Sequence, residues 1–163
     1  AAWEIFEESP GCLLSSASGI AIPSGGSDLT PAVSDHHYSG LFFTATAGEN
    51  IAIGDVCYMK SDGKYWIAKA DVANTKMPGV VIATGTIAGD AAGIFLQKGF
   101  LRDDSWGAYT VGGALYVTIT GTTGNTVSQV APVASGNVVQ DIGYAYAAKV
   151  IFFDPNRTQV VIP

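Results

Sequence analysis

The sequence predicts an all-β chain: a single antiparallel β-barrel or sandwich built from two related halves, with an extended N-terminal arm. Three observations predict it. Val, Ile, Thr, Tyr, Phe and Gly crowd the 163 residues, and the 3.6-residue periodicity of amphipathic helices is weak. About ten short apolar runs are separated by turn residues, at the spacing of sandwich or barrel strands. Much of the pattern also occurs twice.

Residues 1–39 form the arm. Trp3-Glu4-Ile5-Phe6 reads as a short strand that Pro10-Gly11 ends. A Ser/Gly/Pro-rich stretch follows, with Pro23, Gly25-Gly26 and Pro31. Such composition buries too little apolar surface to offset its own ordering entropy. Trp3, Ile5 and Phe6 are therefore expected to dock on something, either the chain's own domain or a neighbouring protein. The neighbour is the preferred reading.

Residues 40–163 form the compact domain. Leu41–Thr46 reads as a strand and Ala47–Asn50 as a turn. The organising stretch is Ile51–Ala83. In it, Val56–Lys60 and Lys64–Lys69 are β-prone runs on either side of Asp62-Gly63. Asp-Gly supplies the positive φ angles of a two-residue type I′ turn, so a hairpin is expected there. Ala70–Met77 leads away, and Pro78-Gly79 opens a new run, Val80–Ala83. Thr84–Ala92 reads as a loop of small residues, and Gly93–Leu101 as a strand bent or bulged at Gly99. Arg102–Gly107 is the most polar loop. Ile53–Met59 then recurs as Val111–Val117, and Gly79–Ala83 as Gly143–Ala147, with a short insertion between the two. Lys149–Phe153 and Thr158–Ile162 are the last strands, placed to close the sheet or barrel.

The chain is 48% hydrophobic and 13% charged, against about 25% charged in average soluble proteins. No apolar run approaches the ~18 residues of a membrane helix, so no membrane span is expected. A subunit interface is the expected cover for so much weakly polar surface. Seven acids and no base precede Lys60, and seven acids against eight bases follow from it, so the net charge of −6 arises in the first third. Nucleic acid is a poor partner for such a chain, because phosphate binding needs a basic face. An acidic arm suits a basic patch on another protein, or serves only to keep the arm in solution. Cys12 and Cys57 are too few for a disulfide framework and are read as buried free thiols. Glu4, Glu7 and Glu8 stand where a signal peptide needs positive charge, so export is not expected.

Catalytic and metal motifs are weak. Asp35-His36-His37 spells the signature of the DHH phosphoesterases, but no second acidic motif and no parallel-sheet pattern accompany it, and adjacent side chains of an extended segment diverge. No metal or cofactor is expected. Gly85–Gly93 lacks the Lys-Ser/Thr ending of a phosphate loop. Asp103 and Asp104 are adjacent, so alternation separates them. Asn156-Arg157-Thr158 matches a glycosylation sequon without a secretory signal. Cys57 has no recognisable His/Asn partner, and no Ser sits in a nucleophile elbow. The chain is expected not to be an enzyme. Most aromatics lie at strand positions and read as core. Trp106 does not. With Arg102 it belongs to the polar loop, and it is the candidate contact for a partner protein or a sugar.

The run Gly54–Asp71, then Pro78–Ala83, then Gly93–Leu101, Gly112–Val117 and Ile142–Ala148 resembles a small β-domain of tailed-phage structural proteins, found in capsid decoration (cement) proteins and in head or tail fibres. The resemblance spans about Thr44 to Ile162. It implies a β-barrel-like domain, often trimeric, attached to a virion, with a terminal arm reaching the capsid or a neighbour. It carries no active-site residues. The expected function is non-enzymatic capsid decoration on the virion surface, by a homotrimer made in the host cytoplasm and bound to the major capsid protein or another virion protein. The alternative is a fibre or spike module that binds a host glycan or protein receptor.

Overall fold

The computed structural model describes residues 29–71 and 75–163. Among them lie eleven strands: β1 (Tyr38–Thr46), β2 (Val56–Met59), β3 (Tyr65–Ile67), β4 (Val81–Ala83), β5 (Ala92–Arg102), β6 (Ala114–Thr122), β7 (Asn125–Ser128), β8 (Val138–Val139), β9 (Asp141–Ala147), β10 (Val150–Phe153) and β11 (Val160–Val161). All their pairings are antiparallel.

The main sheet runs β3-β2-β4-β5-β10-β9-β6-β7, with β1 added alongside β5. The two ends of this order mirror each other. In each half a hairpin lies outermost, a returning strand follows, and the halves join through β5 and β10. This is the two-half architecture that the repeat predicts. Matching glycines mark it: Gly54 and Gly112 have φ of +79° and +78°, and Gly63 and Gly124 have φ of +79° and +78°. The match of Gly79 with Gly143 is offset, however. Val56 and Cys57 pair with Ile82 and Val81, whereas their counterparts Ala114 and Leu115 pair with Tyr144 and Gly143. The second returning strand is thus shifted by two residues. An even shift keeps each side chain on its face of the sheet, so packing tolerates it.

The Asp62-Gly63 hairpin forms, but not with a type I′ turn. Gly63 N donates to Lys60 O at 3.0 Å, Lys60 N donates to Lys64 O at 3.1 Å, and Gly63 alone has positive φ. This is a three-residue loop, a tight turn followed by a left-handed glycine. Asp62 Oδ1 accepts from Lys64 N at 2.9 Å, which holds Asp62 as a turn former without a positive φ.

β5 is the longest strand. β1 pairs along one of its edges, while β4 (at Phe95 and Leu96) and β10 (Gly99–Arg102) share the other. The register slips opposite Leu41 and Phe42, so the bulge falls at Gln97 and not at Gly99. Gly99 serves a different purpose. A methyl on it would lie 2.0 Å from Ser39 O, and its φ is +146°. Two backbones meet there, which only glycine allows.

The last strand does not close the barrel. β11 pairs with β8 in a separate two-stranded ribbon. The barrel nearly closes through the segment after β3: Ala70 N donates to Thr118 O at 2.9 Å, and Val138 N donates to Ala70 O at 3.1 Å. The core inside contains the fully buried Leu96, Leu101, Leu115, Val117, Ile142, Ile151 and Phe153. A second cluster, around Ile51, Cys57, Val81 and Phe95, fills the first half. Buried Gln140 ties the connectors together: its amide bonds Gly79 N and Gly79 O at 2.8 Å each and Asn156 O at 2.7 Å.

Residues 29–39 belong to this body, although composition places them in the arm. Ala32 is buried beside Phe100 and Val150, Ser39 Oγ donates to Thr30 O, and Arg102 Nη1 donates to Val33 O at 2.9 Å. Among the described residues, no helix is long and apolar enough to cross a membrane.

Candidate functional site

The loop after β5 is held at almost every residue. Asp103 N donates to Lys149 O at 3.2 Å, Ser105 N to Asp103 Oδ1 at 2.8 Å, Trp106 N to Asp103 O at 3.3 Å and Tyr109 N to Ala148 O at 2.9 Å. Lys149 Nζ donates to Trp106 O. The loop is therefore a rigid platform and not a free lid.

Arg102 is the clamp of this platform. Its Nε and Nη2 donate to the two Asp104 oxygens at 2.7 and 3.1 Å, a fork that holds the Asp104 carboxyl below its ordinary pKa. Asp104 N donates in turn to Asp35 Oδ1 at 2.8 Å. Asp103 and Asp104 do diverge as alternation expects: Asp103 is buried and Asp104 exposed.

Trp106 is half-buried and wedged against Gly54, where a methyl would lie 2.6 Å from indole Cζ2. Its ring packs on Tyr109 at a centroid distance of 5.7 Å. Burial, aided by the nearby Asp103, pushes the Tyr109 phenol up to about 12. The two rings form one wall of a cleft of about 310 Å³. The opposite wall is β7 with Gly124 and Gln129. None of the described residues lining this cleft is charged.

Both ends of the cleft are fixed by side chains. At one end Asp55, fully buried, accepts from Ala52 N at 2.9 Å and Gly124 N at 2.8 Å, and Thr126 Oγ1 lies 3.3 Å from it. Val56 N donates to Thr126 Oγ1 at 2.8 Å, so this network joins β2 to β7 across the barrel seam. Burial raises the Asp55 pKa despite these hydrogen bonds. At the other end the Gln129 amide bonds Thr110 N and Thr110 O at 2.8 Å each.

Among the described residues, one cluster of metal-ligand types forms nearby. Asp35, His36 and Asp103 bring their ligand atoms within 4.8 Å of one another. His37, the other histidine of the motif, is not part of it; the third group comes from the loop after β5. Asp35 and Asp103 accept from the Asp104 and Ser105 amides, and His36 Nε2 lies 3.7 Å from Asp35 and 4.0 Å from Asp103. Cys57 is free and fully buried, and burial pushes its thiol well above 9.0, away from the reactive thiolate.

Trp3, Ile5, Phe6 and Cys12 lie outside the described residues. Of the loop pair, Trp106 lines the cleft, whereas Arg102 is engaged within the chain. Sequence reasoning missed Tyr109, Asn125, Ser105, Asp55 and Thr126. One signal was available for Asp55: it stands in the first repeat where Gly113 stands in the second, a charge in a position that its counterpart leaves blank. No protein-family model, curated protein or solved structure matches the chain.

Proposed function

We propose that the chain is a non-catalytic structural module of a tailed-phage virion. It is a decoration domain, homotrimeric and made in the host cytoplasm, that seats on the major capsid protein or a neighbouring virion protein. One observation carries this reading: an apolar trough of about 350 Å³ on the outside of the barrel, lined by Ile119, Val130, Pro132 and Val133 among others. Val130 and Val133 are 75% and 83% exposed there. Apolar patches of this kind mark protein contacts on soluble domains. A second surface supports the same role. Exposed Tyr144 and Tyr146 stack beside Phe152 and Phe100 at centroid distances of 5.4 and 5.0 Å. A ligand that binds only the assembled shell stabilises it by mass action, and that work needs no catalytic group. Trp3, Ile5 and Phe6 would add an anchor, in the manner of a strand joined to a partner's sheet edge.

Light scattering and co-sedimentation with shells of the phage that encodes the chain test the reading. The expected result is a trimer that co-sediments. The Val130→Asp/Val133→Asp double variant should lose the trimer or the co-sedimentation. The triple Ala variant of Trp3, Ile5 and Phe6 should weaken co-sedimentation alone. A monomer that stays in the supernatant would overturn the proposal.

A further inference from the structure

We infer that the cleft between residues 105–109 and β7 is a binding site for a neutral saccharide. This goes beyond the assembly reading and stands or falls separately from it. The inference rests on what lines the cleft and on what those groups leave unused.

The described lining residues carry no charge, so among them nothing pairs with a phosphate, carboxylate or ammonium group. They are nevertheless rich in hydrogen-bonding groups. Gln129 and Thr126 are committed to internal bonds, and Ser128 Oγ accepts from Val130 N at 2.9 Å. By contrast, the Trp106 indole N–H, the Ser105 hydroxyl, the Tyr109 phenol and the Asn125 amide have no hydrogen-bond partner among the described residues. Four such groups around one uncharged cleft suit a ligand that offers several neutral hydroxyls. The aromatic wall supplies the complementary element. A pyranose has an apolar C–H face and an equatorial rim of hydroxyls, and a half-buried indole beside a phenol matches both.

The size agrees. A volume of about 310 Å³ lies at the lower end of small-molecule sites. The closed ends argue for a compact ligand over an added peptide strand. β7 is the edge of the sheet, but Asp55 and Thr126 cross its beginning and Gln129 bridges to Thr110 just past its end. The open stretch between Thr126 and Gln129 is two residues, Val127 and Ser128, roughly 7 Å at the rise of a strand. Rigidity also favours binding, since the loop's internal hydrogen bonds leave little to order when ligand arrives.

The test places the full chain on an array of neutral glycans (glucose-, galactose-, mannose- and N-acetylglucosamine-terminated) and anionic ones (sialylated and sulfated). Calorimetry on the best glycan follows. The expected result is retention of at least one neutral glycan. Asn125→Ala should weaken its affinity about threefold to tenfold and Trp106→Ala at least about tenfold. Asn125 is exposed and its side chain makes no internal bond, so Asn125→Ala keeps the fold. It decides the matter if Trp106→Ala fails to fold. Retention of no glycan, retention of anionic glycans alone, or neutral-glycan affinity unchanged by the folded variants would overturn the inference. So would an extended peptide that binds with the same dependence on Asn125 and Trp106 and excludes the glycan.

Discussion

At the scale of single residues, Asp55 shows how one buried acid organises a seam. Its two oxygens accept the Ala52 and Gly124 amides. Removing the carboxylate strands both part-buried donors; a fully buried unmet donor costs about 1–3 kcal/mol, and these two fall toward the lower part of that range. Asp55→Ala is therefore expected to lose about 2–4 kcal/mol in urea unfolding. Asp55→Asn should recover only part of that loss, because its NH₂ faces a donor where an oxygen stood. Tyr109 gives a pH signature. Its folded pKa of about 12 exceeds the ordinary 10.0, so the folded state holds a proton that the unfolded chain releases. That contribution is fully present below pH 10 and is lost as pH rises from 10 to 12. Wild type minus Tyr109→Phe should show this alkaline loss, no larger than about 3 kcal/mol. A flat difference between the two stability profiles would contradict the half-buried setting of the phenol.

At the scale of elements, glycines separate conformation from space. Gly63 has φ of +79° and nothing within 4 Å of an added methyl. Gly63→Ala should therefore cost only about 1 kcal/mol, the conformational term. Gly99 has a positive φ as well, but its methyl would strike Ser39 O at 2.0 Å. Gly99→Ala must push β1 off β5 and is expected to cost more than about 3 kcal/mol or abolish folding. Thermal unfolding of the two variants checks the contrast. The same elements show why some local features were legible and others were not. Asp62-Gly63 announces its hairpin because turn chemistry lies in adjacent residues. Its exact loop depends on the register in which the flanking strands pair, with Met59 opposite Tyr65. The bend assigned to Gly99 is a close approach to β1, whose partner residue Gly40 lies far back in the chain.

At the scale of the whole molecule, neither half is self-sufficient. β5 needs β10 along Gly99–Arg102, and the segment after β3 closes onto Thr118 and Val138 of the other half. A fragment of residues 29–103 should therefore show no cooperative unfolding transition, despite holding one whole repeat. A sharp transition in calorimetry would mean that the halves fold independently. β1 breaks the likeness of the halves, since it lies along β5 and, among the described residues, no strand lies correspondingly along β10. The cleft is also unsymmetrical. It forms where Asp55 of the first repeat meets β7 of the second and the loop after β5 covers the junction.

The sequence by itself determined the all-β class, the positions of most strands, the hairpin at Asp62-Gly63 and the division into two related halves. These follow from side-chain alternation, turn residues and repetition, all of which act between near neighbours in the chain. Only the tertiary structure decided that residues 29–39 join the body, that β11 leaves the main sheet and that Arg102 turns inward. It also decided that Trp106 lines an uncharged cleft. Those outcomes rest on contacts such as Val56 with Thr126, 70 residues apart. Pairings of that span depend on which distant surfaces pack together, and no local pattern specifies them.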